Sequence, residues 1–357
     1  MIPSAARSRA SSASDSPAPG PEVSVLMIAY NVERYIAQAV DSVLSQQLDF
    51  EYELVVGEDC STDRTRDILV EYQERHPGRI RVLAREHNLG MNKNFVSTLE
   101  ACRGAYIALL DSDDYWLSPV KLQRQVTMLR DDPRLAMAFH NTLVVYDDDQ
   151  TEAHPFHVPR PRKVHERTIP ARESTLDDLI TGNFLQTGSV VFRSGACREL
   201  RQWIAHFPTF DWPLHLLNAR HGSIGYINEV LGVYRVRRDG VWSMNMSRYD
   251  RIEDVAKFLE AYEFLKTRFG DRFPRQISER LASFHFRLAV LQAQAGEREA
   301  AVAHARTALA VLPLQHRFTR KYLGRQKLLV EILLRSRYRA LRRRLTGASG
   351  SDGGARR

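Results

Sequence analysis

Three aspartates, Asp111, Asp113 and Asp114, fall within four residues directly after the apolar run Ala105 to Leu110. Carboxylates crowded at the end of a strand repel one another unless a cation or hydrogen-bond donors compensate. A divalent metal is the economical compensation. Hard cations such as Mg2+ or Mn2+ prefer oxygen ligands and bind through one or two carboxylates while substrate phosphates supply the rest. That arrangement activates a diphosphate leaving group. A plainer alternative has the same aspartates capping a helix that begins near Pro119. Asp59 and Tyr30 follow two other apolar runs, and a tyrosine so placed can lie against a base or a sugar.

The elements that must position these residues alternate in type. Val23 to Ala29 is continuously apolar, as a strand buried on both faces is. Val32, Tyr35, Ile36, Ala39, Val40, Val43 and Leu44 then recur at helical spacing. Tyr52 to Gly57 is the next strand, and Ser61 and Thr62 are placed to cap the helix carrying Ile68, Leu69 and Tyr72. Ile80 to Ala84, Asn92 to Arg103 and Ala105 to Leu110 continue as strand, helix and strand. Strands alternating with helices predict a parallel sheet wrapped by helices, with ligands beyond the carboxyl ends of the strands. Tyr30-Asn31, Asp59 and the Asp111 cluster would therefore converge on one cleft. The turn Ala29-Tyr30-Asn31-Val32 contains no glycine, so the GxGxxG fingerprint of dinucleotide binding is missing there; the P-loop pattern is missing too.

From about Leu135 the alternation weakens. Strand-like pieces remain at Leu135 to His140, Ser189 to Phe192, Ile224 to Ile227 and Val230 to Arg235. His154 to Arg172, rich in Pro, Arg and His, is expected to form a mobile loop or lid. Beyond Asn245 the pattern is helical, and Leu281 to Leu312 predicts two helices around a Gly296 turn, one unit and so not a repeat domain.

Composition bounds the rest. With 357 residues and 43% hydrophobic side chains, the chain can bury an ordinary core. Cys60, Cys102 and Cys197 lack the close pairing of a zinc site or a disulfide scaffold, and a reducing, cytoplasmic setting is the default. No apolar run approaches the ~20 residues that span a bilayer, and the Ser, Ala and Pro-rich start is not a signal sequence. The net charge of +8 is concentrated at the carboxyl end, where eleven Lys and Arg residues from Arg317 to Arg344 are interleaved with leucines and one Glu331. A basic amphipathic helix of this kind can lie on an anionic membrane surface; the alternative is a helix packed on the body with a solvated basic face. Nucleic acid is not an expected partner, because stacking aromatics are sparse in the tail and the chain shows no recognised nucleic-acid module.

Four stretches taken in order make the pattern specific. They are Val23-Ser24-Val25-Leu26-Met27-Ile28-Ala29-Tyr30-Asn31, Glu58-Asp59-Cys60-Ser61-Thr62-Asp63, Asn88-Leu89-Gly90 and Asp111-Ser112-Asp113-Asp114. Together they resemble the family 2 glycosyltransferases with a GT-A fold, an α/β fold with a mixed, mostly parallel sheet flanked by helices. The resemblance implies that Asp59 recognises the nucleobase and that Tyr30, with Ala29, Asn31, Asn88 and Ser112 around it, forms the nucleotide pocket. It also implies that Asp111 and Asp113 bracket the donor's ribose, diphosphate and a Mn2+ or Mg2+ ion, with Asp113 the leading metal ligand. It continues more weakly through Gln186 to Phe192, Phe210 to Leu214 and Tyr234-Arg235, and it makes Asp211 the general base, with a helix cap as the alternative for that residue. The chain departs from the family at Glu58, where aspartate is common, at Cys60, where glycine is common, and after Val236, where many relatives carry a histidine. Here Arg237-Arg238-Asp239 follows, and an arginine can neutralise a diphosphate but cannot ligate a metal. Trp242 is a candidate for the acceptor entrance or for the core.

The expected organisation is a leader over residues 1–21, a catalytic domain over 22–245, a helical region over 246–345 and a flexible tail over 346–357. The implied reaction is inverting transfer from a nucleoside-diphosphate sugar, a UDP-sugar first among them, to a glycan or lipid-linked acceptor in surface polysaccharide or glycoconjugate synthesis. The alternative is an inactive sugar-nucleotide-binding or scaffold protein acting through its helical region.

Overall fold

A computed structural model describes residues 20–148, 150–161, 167–168, 170–196, 199–237 and 251–311. The leader up to residue 19, Cys197, Arg238, Asp239, Trp242, the start of the helical region to residue 250 and everything from residue 312, including the basic segment and the tail, lie outside the described residues.

Among the described residues, a ten-stranded sheet carries the architecture, with a separate two-stranded sheet beside it. β1 (Val23–Ala29), β2 (Tyr52–Glu58), β3 (Ile80–Ala84) and β4 (Tyr106–Leu109) are parallel, in the spatial order β4-β1-β2-β3. β5 (Tyr115–Trp116) is a short strand after the aspartate cluster, and β6 (Leu135–Tyr146) is long. The two-residue strands β7 (His154–Pro155), β8 (His157–Val158), β9 (Arg167–Thr168) and β10 (Glu173–Ser174) lead to β11 (Val191–Arg193) and β12 (Ser223–Val236). β11 joins the halves, antiparallel to both β4 and β6, and β12 runs parallel to β6. The sheet is thus mixed and mostly parallel, as the alternation predicts.

Burial on both faces explains the apolar runs. Val23, Val25 and Met27 of β1 face a core shared with α1 (Ile36–Leu44), α2 (Thr65–Arg75) and α4 (Lys121–Asp131). Leu26 faces the opposite core with Phe95 and Val96 of α3 (Met91–Ala101). Ile36, Val40 and Val43 are fully buried, each contributing about 1.5–3 kcal/mol relative to exposure. The second core also takes in α5 (Leu176–Leu179), α6 (Leu200–Trp203) and α7 (Asp211–Ala219), then α8 (Ile252–Phe269) and the first half of α9 (Pro274–Ala295). Ala261, Tyr262, Leu265 and Phe269 are buried in it with Trp203 and Trp212, and Tyr262 donates its hydroxyl to Ile180 O at 3.2 Å. The helical region therefore completes the core of the α/β body. α10 (Arg298–Val311) folds back on α9 through the Gly296 turn, as predicted.

Three local expectations change. Ile224 to Ile227 and Val230 to Arg235 are one strand, irregular between Ile227 and Gly232, with Glu229 turned out to pair with Arg124. α1 starts at Ile36, not Val32, because Asn31 and Glu33 are engaged with the loop after β2. The described part of the expected lid is anchored: His157 shares a bond with Phe184 O at 2.9 Å and takes its backbone N–H to Asn141 Oδ1 at 2.8 Å. Residues 162–166 and 169 lie outside the described residues. No helix among the described residues is long and apolar enough to cross a membrane.

Candidate active site

β1, β2 and β4 are parallel neighbours, so their carboxyl ends deliver Tyr30-Asn31, Asp59 and Asp111 to one edge of the sheet. The first two loops are stapled together. Asp59 donates its N–H to Ala29 O at 2.9 Å, Asn31 donates its N–H to Ser61 Oγ at 3.1 Å, and Asn31 Oδ1 accepts the Thr62 N–H at 2.8 Å. Ser61 and Thr62 thus serve this staple and do not cap α2, whose N-cap position is Arg64; Asp63 Oδ1 accepts the Thr65 N–H at 2.9 Å just ahead of the helix. Asn31 and Cys60 both adopt left-handed backbone, φ 52° and 61°, a conformation costing a non-glycine residue about 1–2 kcal/mol. That is the physical reason a glycine suits the Cys60 position. Ala29 is buried, whereas Tyr30 is 48% exposed and free to meet a ligand.

Asp59 is 3% exposed, and its carboxylate bridges two backbone donors: Leu89 N–H to Oδ1 at 2.7 Å and Gly90 N–H to Oδ2 at 3.0 Å. Asn88 completes the clamp by donating Nδ2 to Asp59 O at 3.1 Å. Gly90 precedes α3 with φ 80°, which favours glycine. Asp59 and Asn88 thus shape the loop that borders the cleft. Glu58, at the family's aspartate position, is fully buried and paired with Arg66.

The aspartate cluster turns sharply, Asp114 N–H to Asp111 O at 3.0 Å, and β5 then pairs with β12. That pairing brings in residues more than a hundred positions away. Asp114, 2% exposed, accepts the Arg235 N–H at 2.7 Å and the Gln186 amide at 2.9 Å. Arg235 also donates to Asp113 O, and Arg237 pairs with Asp113 Oδ2 at 3.2 Å while lying over the Tyr35 ring. Ser112 is buried in the turn. α4 begins at Lys121 with Val120 at its cap, so the aspartates do not cap it.

Burial first, then the charges of Asp113 and Asp211, push the Asp111 carboxyl up to about 8. Asp114 is raised well above the carboxylate range by burial and by the charges of Asp113 and Asp111, and Tyr234 is raised by burial and by Asp114, Asp111 and Asp113. Asp211 is the first residue of α7, with Phe210 at the cap, so it does not cap that helix. Its Oδ2 accepts the Asn183 amide at 2.7 Å, while Oδ1 is buried with no partner among the described residues. The structure therefore brings Asp111, Asp113 and Asp211 into one electrostatic cluster. Gln186, Arg235 and Asn183 were not predicted as site residues. The first two lie in stretches already singled out, but no sequence signal marks Asn183.

Among the described residues, no three His, Cys, Asp or Glu side chains group to hold a metal ion. Asp111 and Asp113 nevertheless suit a hard divalent cation: both are oxygen donors, and their mutual repulsion is what a cation relieves. The remaining ligands would have to be substrate oxygens.

The glycosyl transferase family 2 model matches residues 24–201, half of the chain and the stretch that holds Asp111, Asp113 and Asp114. The chain belongs to glycosyl transferase family 2. An uncharacterised protein of Mycobacterium tuberculosis, Rv1520, is 34% identical over 220 residues, 62% of this chain and 60% of the relative. The chain thus spans about 60% of the length of the first curated relatives it matches. TuaG of Bacillus subtilis, named as a teichuronic acid biosynthesis glycosyltransferase, is 29% identical over 69% of this chain and 91% of its own length. The mannosyltransferase PcManGT of Pyrobaculum calidifontis, solved with GDP-Man and Mn2+, superposes with a TM-score of 0.50 at 18% identity, over 89% of this chain and 86% of that one. That likeness establishes the GT-A fold for this family 2 member.

Proposed function

We propose that this family 2 protein transfers a sugar from a nucleoside-diphosphate sugar, a UDP-sugar first among them, to a hydroxyl of a glycan or lipid-linked acceptor, with inversion. Surface polysaccharide or glycoconjugate synthesis is the setting, a reading supported by the likeness to TuaG. The carrying observation is the gathering of Asp111, Asp113 and Asp211 in one cluster, where Asp211 keeps one buried oxygen without a partner among the described residues.

Single displacement needs a base opposite the leaving group and positive charge beside the diphosphate. Asp211 takes the proton of the acceptor hydroxyl. The acceptor oxygen forms its bond to the anomeric carbon as the bond from that carbon to the diphosphate oxygen breaks. Arg237, held by Asp113, offers its guanidinium to the departing phosphates. Asp111 and Asp113 would hold a Mn2+ or Mg2+ ion, which when bound supplies further charge stabilisation to the diphosphate. Tyr30 lines the nucleotide pocket, and Asp59 and Asn88 act by fixing the 88–90 loop at its edge.

The test is calorimetric titration with UDP, GDP and dTDP, each with and without Mn2+, on the parent and on Asp113→Ala. Metal-enhanced binding of one nucleotide that Asp113→Ala abolishes supports the donor site and names the nucleotide. Absence of binding to folded protein would sink it and leave the scaffold alternative.

A further inference from the structure

The two carboxylate oxygens of Asp211 are treated differently. Oδ2 accepts the Nδ2–H of Asn183 at 2.7 Å, and Oδ1 is buried with no partner among the described residues. The Asn183 amide is itself anchored, because its Oδ1 accepts the backbone N–H of Leu185 at 3.1 Å. That bond assigns the carbonyl end of the amide and leaves the NH2 end to face the carboxylate. The segment that follows is firmly seated: Leu185 is 4% exposed, and Gln186 is bonded to Asp114.

His215, one turn further along α7, offers Asp211 no compensating charge. It is fully buried, neither ring nitrogen has a partner among the described residues, and burial holds its imidazole down to about 4, so it is neutral at ordinary pH. Asn183 is therefore the side chain that orients this carboxylate.

We infer that Asn183 is the positioning residue for the base, an inference that rests on the reading of Asp211 given above. The hydrogen bond fixes the plane of the carboxylate and occupies Oδ2. Oδ1 is then the oxygen left to receive the acceptor's proton. Without that bond the carboxylate can rotate about its Cβ–Cγ bond, and misplacement of a reacting group by about 1 Å costs up to about 100-fold in rate.

The test is a double-mutant cycle on full-length protein, following nucleotide release from the nucleotide sugar selected by the titration. Water serves as the attacking group until an acceptor is in hand. Asn183→Ala is compared with the isosteric Asn183→Asp, with Asp211→Asn and with the Asn183→Ala/Asp211→Asn pair. Circular dichroism and UDP affinity report that each variant is folded with an intact donor pocket. The expected result is a kcat lowered about 10- to 100-fold in Asn183→Ala at unchanged KM. Asn183→Asp should lose at least as much, since it keeps the shape but sets carboxylate against carboxylate. In the Asp211→Asn background, Asn183→Ala should change nothing further. A parental kcat in Asn183→Ala, or a loss that multiplies in full with that of Asp211→Asn, overturns the positioning role and leaves the base assignment standing. A parental kcat in Asp211→Asn overturns the base assignment itself.

Discussion

Replacing Asp59 by asparagine separates its two conceivable roles. The carboxylate accepts two backbone N–H groups, from Leu89 at 2.7 Å and Gly90 at 3.0 Å, in a setting only 3% exposed. Hydrogen bonds to a charged group contribute about 1.5–3 kcal/mol each. An asparagine keeps one acceptor and turns an NH2 toward the other N–H, so one bond is lost and a donor faces a donor. The expected loss is about 2–4 kcal/mol, a large part of the ~5–15 kcal/mol that holds a typical domain folded. Urea unfolding followed by tryptophan fluorescence measures it, with Trp116, Trp203 and Trp212 buried as reporters. UDP affinity should fall together with stability, because the 88–90 loop is released. Stability within about 0.5 kcal/mol of the parent, with UDP binding lost, would refute this account and assign Asp59 to direct contact with the base.

Asp111 links stability to pH. Its folded carboxyl is raised from 3.8 to about 8 by burial, Asp113 and Asp211. Between those values the folded protein holds a proton that the unfolded chain has released, so stability falls as pH rises through that window. Asp111→Asn should therefore raise Tm at pH 8 and have a progressively smaller effect toward pH 4, by scanning calorimetry; a gain independent of pH would contradict the linkage. Gly104→Ala tests a close backbone approach, since an added Cβ would lie 2.4 Å from Ser24 N, 2.7 Å from Val23 C and 2.8 Å from Tyr106 O. Backbone atoms cannot give way cheaply, and a loss of about 3 kcal/mol in urea unfolding is expected; parental stability would show that the β1–β4 junction is looser than described.

The amino-terminal half was legible because its signals are local. β1 ends where the apolar run ends, and the runs of β2 and β4 match to within a residue or two, since burial on both faces demands continuous apolar sequence. Parallel order then follows from the intervening helices, and with it the meeting of Tyr30, Asp59 and Asp111 at one sheet edge. What surrounds those residues was not legible. The partners of Asp113 and Asp114 come from the end of β12, from Arg237 just beyond it and from the segment before β11, and the two-residue β5–β12 pairing that brings β12 alongside leaves no periodic trace. The left-handed turn at Cys60 is invisible in a side chain that does not require it. Nor does helical periodicity say which surface a helix covers, so only the fold decided that α8 and α9 complete the core around Trp203 and Trp212. Sequence by itself determined the strands and helices of the amino-terminal half and the acidic residues at the strand ends, because each depends on neighbours along the chain. Tertiary structure decided which charges meet, because hydrogen bonds and ion pairs at 2.7 to 3.2 Å depend on long-range register that no local pattern encodes.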